Sequence, residues 1–290
     1  VIPRVSVVIP AFRNAAYISR TMDSVLDQTF EDFEVVVADH SSDDETQEIL
    51  ERYADDPRVR LLQPTPAGGG APANWNRVTS AARGELLKLV CGDDLIARSC
   101  LELQVREFDA DPDLMMVAAR RDLVDERGRM LRRAHTVMPS LRGTVSGAEA
   151  IRATVRAGTN IFGEPAAVLL RREALAAVGG WDGRNGYYID AQTYVQVIAD
   201  GQVRFLENSL AAFRISPSQW SVRLANEQAS QARQFHRFAH DRWPAWVSSA
   251  DVRRGDMLAA AGAYLRRGIY LALSLRRMAD ARAARRSERA

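Results

Sequence analysis

Asp93 and Asp94 stand side by side near the end of the stretch Leu-Leu-Lys-Leu-Val-Cys-Gly-Asp-Asp-Leu-Ile, residues 86–96. The near-continuous apolar run before them, bounded upstream by Arg83-Gly84-Glu85, predicts a strand buried on both faces of a parallel sheet. Open α/β sheets bind ligands at the carboxyl ends of their strands, which puts this pair at the mouth of a site. Two carboxylates there suit a hard divalent cation, and such a cation commonly bridges a diphosphate. The same Asp-Asp-Leu would also start a turn and cap the next helix, as Asp does well.

The elements that must position the pair lie on both sides of it. Val5-Ser6-Val7-Val8-Ile9 has a strand pattern stopped by Pro10, and residues 15–28 place Ile18, Met22, Val25 and Leu26 at helical spacing. Residues 33–38 form a second β-branched run ending at Asp39. Ser42 with Glu45 three residues later predicts a capping box for a helix through Tyr53. Residues 59–62 are a short third strand, residues 64–72 with Gly68-Gly69-Gly70 a flexible loop, and residues 74–82 a helix. Strand and helix in this rhythm imply right-handed βαβ units. Neither G-x-G-x-x-G nor a Walker lysine pattern is present, so dehydrogenase and P-loop readings are weak.

Beyond the acidic pair, helices are expected over residues 99–110, 147–157, 173–178 and 190–199. Strands are expected over 114–119, 167–170 and 203–206, with a hairpin turn at Asp125-Glu126-Arg127-Gly128 and a C-cap at Gly179-Gly180. After Ser221 the chain turns helical, rich in Ala and Arg. A catalytic domain over 1–221 is therefore expected, with halves of about 1–120 and 121–221, followed by a helical extension over 222–290.

The 290 residues are 47% hydrophobic and 26% charged, ordinary for a folded domain, and the net charge of +2 gives no whole-molecule field for nucleic acid. Cys91 and Cys100 are the two cysteines, one in the buried run, which argues against a disulfide framework or zinc site and for a reducing compartment. The first residues read as strand rather than signal peptide. No run reaches the roughly 18–20 apolar residues of a membrane span.

Taken together, these motifs resemble glycosyltransferase family 2, with its glycosyltransferase A fold. The resemblance covers roughly residues 5–221. It rests on the opening strand through Pro10-Ala11-Phe12-Arg13-Asn14, on Ser24-Val25-Leu26-Asp27-Gln28-Thr29 followed by residues 33–39 and 41–46, and on Ala82-Arg83-Gly84-Glu85 with Lys88 and Cys91-Gly92-Asp93-Asp94. Gly179-Gly180-Trp181-Asp182 and Asp190 complete it. It implies a mixed, mainly parallel sheet flanked by helices, and transfer of a sugar from a nucleotide-diphosphate donor to an acceptor hydroxyl with inversion. By resemblance, Asp93 and Asp94 hold Mg²⁺ or Mn²⁺ on the diphosphate. Pro10, Ala11, Phe12, Asn14, Asp39, Ser41, Lys88 and Asp93 line the nucleotide site, and Asp190 is the general base. Phe12 is equally a core candidate. Lys88, a charge inside an apolar run, needs either a phosphate or the Glu85 carboxylate. Trp181 and Tyr188 are candidates for stacking on a sugar, or for packing; Asp182 reads as structural.

Two positions depart from the family pattern. Cys91 stands where a further Asp is frequent, and Ser216 where many relatives carry His after Arg214. Arg214 or Ser221 would then close over the diphosphate, with no third metal ligand assigned. His236 and His240 lack the Glu of a zinc motif and read as surface or packing residues. Residues 262–290 hold eight Arg against Asp280 and Glu288. Such a helix suits an anionic membrane surface, a dimer contact or plain solvation. The expected setting is the cytoplasm, including the inner face of its membrane, and the expected acceptor a cell-surface glycan, lipid-linked glycan or natural product. The rival readings are a non-catalytic nucleotide-sugar-binding protein of the same fold and a sugar nucleotidyltransferase.

Overall fold

The computed structural model describes residues 2–136, 138, 140–216, 224 and 226–287, with side chains described to residue 268. The chain opens with β1 (Val5–Ala11), α1 (Ile18–Leu26), β2 (Phe33–Asp39), α2 (Thr46–Glu51), β3 (Val59–Leu61), α3 (Gly70–Ser80) and β4 (Leu86–Leu89). Then come β5 (Leu95–Ile96), α4 (Cys100–Ala110), β6 (Leu114–Asp125), β7 (Met130–His135), β8 (Gly143–Ser146), α5 (Gly147–Ala157) and β9 (Val168–Arg171). It closes with α6 (Arg172–Ala177), α7 (Ile189–Val197), β10 (Gln202–Ile215), α8 (Gln228–Arg242) and α9 (Ser249–Ser287).

The strands form one sheet in the order β3-β2-β1-β4-β9-β6-β10-β5, with β7 on β6 and β8 on β10. β1 pairs in parallel with both β2 and β4, so the chain winds outward from β1 to one side and then to the other. That reversal opens a crevice beyond the carboxyl ends of β1 and β4. β9 runs antiparallel between β4 and β6, joining the β1–β4 part of the sheet to the rest.

β1 and β2 are buried along their whole length, and successive side chains enter opposite cores. Val8, Val36, Ala38, Leu87 and Leu89 face one core, and Val7, Ile9, Val35, Val37 and Leu86 the other. Continuous hydrophobicity is what a strand covered on both faces requires. The expected strands at 114–119 and 203–206 are the first parts of longer ones: β6 and β10 continue in parallel to Asp125 and Ile215 through register shifts. Polar interruptions, Arg120-Arg121-Asp122 in β6 and Glu207-Asn208-Ser209 in β10, conceal their continuation from a pattern search.

Two local expectations need correction. The glycine triplet is not simply a loop: Gly68, Gly69 and Gly70 all have positive φ, and α3 begins at Gly70. Nor does Ser42 cap α2. Its hydroxyl and N–H both donate to Asp39, while Asp44 accepts from the Thr46 N–H.

α8 and α9 share the first core through Ala232, Phe235, Ala239, Val247 and Ala259. α9 crosses α5 where glycines let backbones touch: a Cβ on Gly158 would run into the Gly255 carbonyl, and one on Gly255 into that of Val155. Buried Asp251 bonds Arg156 (2.7 Å) and Arg152 (3.2 Å) beside this seam. His236 is buried against Asp256 and His240 bonds the Val247 carbonyl, so both are packing residues.

At the opposite end of the sheet from the crevice, buried Glu34 accepts from Ser6, from the Arg83 N–H and from the Arg83 guanidinium. These bonds hold its carboxyl below its usual range even though burial opposes them. Glu34→Ala leaves the buried Ser6 hydroxyl and the Arg83 N–H without this acceptor, while the Arg83 guanidinium is 58% exposed, so it should cost about 2 kcal/mol, read by denaturant titration.

Candidate active site

The loop after β1 is shaped before any ligand arrives. Asn14 Oδ1 accepts from the Phe12 N–H at 2.8 Å, and Arg13 takes a positive φ of 51°. Phe12 is 40% exposed, which removes it from the core; its ring meets His40 edge-on at 5.8 Å. Pro10 and Ala11 are buried, so they offer backbone alone. The Asp39 carboxylate, at the end of β2, accepts from Ser42, and the Ser41 hydroxyl donates to the Thr65 carbonyl. Asn74 of α3 donates to the carbonyls of both Ala11 and Ala38. The ends of β1 and β2 thus form one rigid ledge.

The loop 91–94 is tied down from two sides. On one, the Thr21 hydroxyl of α1 donates to the carbonyls of Asp94 (2.8 Å) and Gly92 (3.1 Å). Gly92 itself passes so close to Asn14 that a Cβ would lie 2.5 Å from its side chain. On the other, the Arg214 N–H donates to Asp94 Oδ1 at 3.0 Å and the Arg214 Nε to the Asp93 carbonyl at 2.9 Å. Arg214 is 1% exposed, lies over Tyr17, and also donates to the Asp125 carbonyl. Arg214, expected to close over a diphosphate, braces the acidic loop from within the fold. Ser221 lies outside the described residues. Ser216 is buried at the end of β10.

Asp94 is buried, and its Oδ2 has no hydrogen-bond partner among the described residues. Burial, then the neighbouring Asp93, pushes its carboxyl well above the usual range. Burial also pushes Asp93 up to about 6. Asp190 enters from the first turn of α7. Its Oδ2 accepts from Asn160 Nδ2 at 2.8 Å and its Oδ1 from the Ala191 N–H at 2.7 Å. Burial and then the charge of Glu164 push it up to about 7, against these two hydrogen bonds. Glu164 is ion-paired with Arg121.

The Cys91 thiol feels Asp94, Asp93, Asp190 and Glu164 together, and burial with these charges keeps it protonated. The structure therefore gathers the two ends of the expected site, Asp93/Asp94 and Asp190, around one neutral thiol. A further Asp at residue 91 would add a fifth carboxyl group to this ring.

Three other expectations are corrected. The Lys88 ammonium is fully buried, on Gln104 Oε1 (2.9 Å) and the Val168 carbonyl (3.2 Å), and so reaches neither a phosphate nor Glu85. Glu85 pairs instead with Arg4 and Arg171. Trp181 is 3% exposed and donates from Nε1 to Thr79, and Tyr188 is 2% exposed, stacked on Phe235. Neither offers a face to a sugar. Asp182 is structural, paired with Arg184 and Gln192. Asn160, Glu164, Thr21 and Arg121 are the site's residues that sequence reasoning does not single out. The signal available was a polar Asn and Glu within the non-periodic stretch Asn-Ile-Phe-Gly-Glu-Pro, residues 160–165.

The family model described as glycosyl transferase family 2 matches residues 6–179. An uncharacterised protein of Mycobacterium tuberculosis is 31% identical over 217 residues, 73% of this chain and 67% of its own length. Chondroitin synthase of Pasteurella multocida is 37% identical over 131 residues, 45% of this chain but 13% of the synthase. Staphylococcus aureus TarS, solved with UDP-GlcNAc, superposes with a TM-score of 0.67 at 19% identity, covering 82% of this chain and 66% of that one. A mannosyltransferase of Pyrobaculum calidifontis, solved with GDP-Man and Mn²⁺, gives a TM-score of 0.60 at 18% identity over 94% of this chain and 81% of its own. The chain thus spans a small part of the synthase and just under two thirds of the TarS chain.

Asp190, raised to about 7, and Asp93, raised to about 6, hold protons in the folded state that they release when unfolded. The sign follows: each favours folding at low pH, and that contribution is lost as pH rises from about 4 through about 7. The melting temperature of the metal-free protein should fall over that window, and Asp190→Asn should flatten the fall, as followed by thermal melts in matched buffers.

Proposed function

Because this chain belongs to glycosyl transferase family 2, we propose that it moves a sugar from a nucleotide-diphosphate donor to an acceptor hydroxyl with inversion, Asp190 serving as general base. The observation carrying this reading is the convergence of the β1–β2 ledge, the Asp93-Asp94 loop and Asp190 on one crevice of the sheet. The ledge would take the nucleoside, with the Asp39 carboxylate at its end and the exposed Phe12 ring beside it. Asp190 would take the proton of the acceptor hydroxyl as its oxygen attacks the anomeric carbon opposite the leaving diphosphate. A single base and in-line attack give inversion without a covalent intermediate.

The residues present fit a divalent cation, Mg²⁺ or Mn²⁺. The unpartnered, buried Asp94 Oδ2 is a donor in want of a charge, and Asp93 adds a second carboxylate. Among the described residues no group of three or more His, Cys, Asp and Glu could hold a metal ion. Two carboxylates with substrate phosphate and water for the rest is an ordinary arrangement for Mg²⁺. When bound, the cation would neutralise charge on the leaving diphosphate. UDP-GlcNAc and GDP-Man are the donors in the two structural neighbours' complexes, so either base is a fair first trial.

α9 supports a second contact. Met257, Leu258, Tyr264 and Leu265 are exposed along one stripe, with Arg253 and Arg254 exposed at its start. An apolar stripe with basic flanks suits peripheral contact with an anionic membrane. No helix among the described residues is long and apolar enough to cross one.

Asp190→Asn should lower transfer by ~10²–10⁴-fold while leaving donor binding intact, measured by product formation and by calorimetry. A variant with full activity would remove Asp190 from the role, and a wild type that binds the donor without turnover would favour the non-catalytic reading. Nucleoside diphosphate binding should require Mn²⁺ or Mg²⁺ and be lost in Asp93→Ala/Asp94→Ala. Binding unchanged in that variant would clear the pair of metal duty. Diphosphate formed from a nucleoside triphosphate would instead support the nucleotidyltransferase reading.

A further inference from the structure

The segment between α5 and β9 lies outside the motifs read from the sequence, yet it supplies a polar partner of Asp190 from outside its own helix. Asn160 Nδ2 donates both to Asp190 Oδ2 (2.8 Å) and to the Gly163 carbonyl (2.9 Å), and its Oδ1 accepts from the Phe162 N–H (2.9 Å). One amide thus closes a tight turn and fixes a carboxylate on another element. The turn delivers Glu164, which the almost fully buried Arg121 grips as an ion pair. Gly163, at φ 100°, runs alongside the Arg121 side chain, so that a Cβ added there would lie 3.6 Å from Arg121 Cδ.

We propose that residues 160–164 form the positioning device of the general base: Asn160 orients Asp190 through its amide, and Arg121 holds Glu164 beside it as a second carboxylate. The proposal rests on Asp190 being the base. Its chemical logic follows from the groups around that carboxylate. From β4 it is faced by Cys91, from α7 and its approach by Tyr194 and Tyr188, and from the turn by Glu164. Burial pushes the Cys91, Tyr188 and Tyr194 groups up, so all three are neutral near pH 7. Glu164 is then the neighbour whose charge acts on Asp190, making it a stronger base, while the Asn160 amide opposes it by stabilising the anion. The two act in opposite senses on one group. A base matched to neutral pH requires that balance.

The test is a direct titration of Asp190 in the full chain, by ¹³C carboxyl shifts of labelled aspartate, with Asp190→Asn used to assign its resonance. Asn160→Asp keeps the acceptor for Phe162 and removes the donor, and it should move the midpoint up by about one unit. Glu164→Gln should move it down by a similar step. The acid limb of the pH–rate profile should follow both shifts. Asn160→Ser, whose shorter side chain cannot reach Asp190, removes the donor without adding a charge, should also move the midpoint up, and serves if Asn160→Asp fails to fold. Shifts in opposite directions support the proposal. Midpoints unmoved in folded variants, or moved the same way, overturn it. Full transfer activity in Asp190→Asn would overturn the base assignment even if the midpoints shift as expected, which keeps the two failures apart.

Discussion

Arg214 is the interaction on which the site depends. Its N–H and guanidinium hold Asp94 and the Asp93 carbonyl from the far end of β10, while the same side chain reaches the Asp125 carbonyl where β6 ends. Carboxylates crowded in a poorly solvated crevice repel one another, and their repulsion must be met by a scaffold stiffer than a loop. β6 and β10 supply it. Past the last register shift they pair in parallel from Ala211 to Ile215, so the bond at Arg214 is backed by an unbroken stretch of ladder.

The same reasoning explains why so few donors surround the acids. Thr21, Asn160 and two backbone N–H groups orient carboxylate or carbonyl oxygens without filling every lone pair. One oxygen of Asp94 has no hydrogen-bond partner among the described residues. A buried carboxylate oxygen left so carries unmet electrostatic demand.

The first strands were legible from sequence because burial on both faces writes itself as unbroken hydrophobicity, as in β1, β2 and β4. Asp39, Asp93 and Asp94 were legible for the same reason: each is a carboxylate placed where such a run stops. Lys88 shows the limit of that logic. A cation inside a strand advertises a partner without saying on which face, and here the partner is Gln104 across the core. Trp181 and Tyr188 show it again, since an aromatic beside a site can serve the core alone. Asn160 and Glu164 escaped because a turn fixed by side-chain bonds leaves no period to detect. Their meaning lies in Asp190 and Arg121, far away in sequence.

Gly158 sits at a mechanical junction. It is pressed against the backbone of α9 at Gly255 and Ala259, its carbonyl accepts from the Tyr188 hydroxyl at 3.2 Å, and Asn160 follows two residues later. Tyr188 is itself two residues before Asp190. α9 is therefore connected to Asp190 through one backbone contact and two short lengths of chain. That path runs through residues 158–160 and Tyr188 and includes no strand of the sheet.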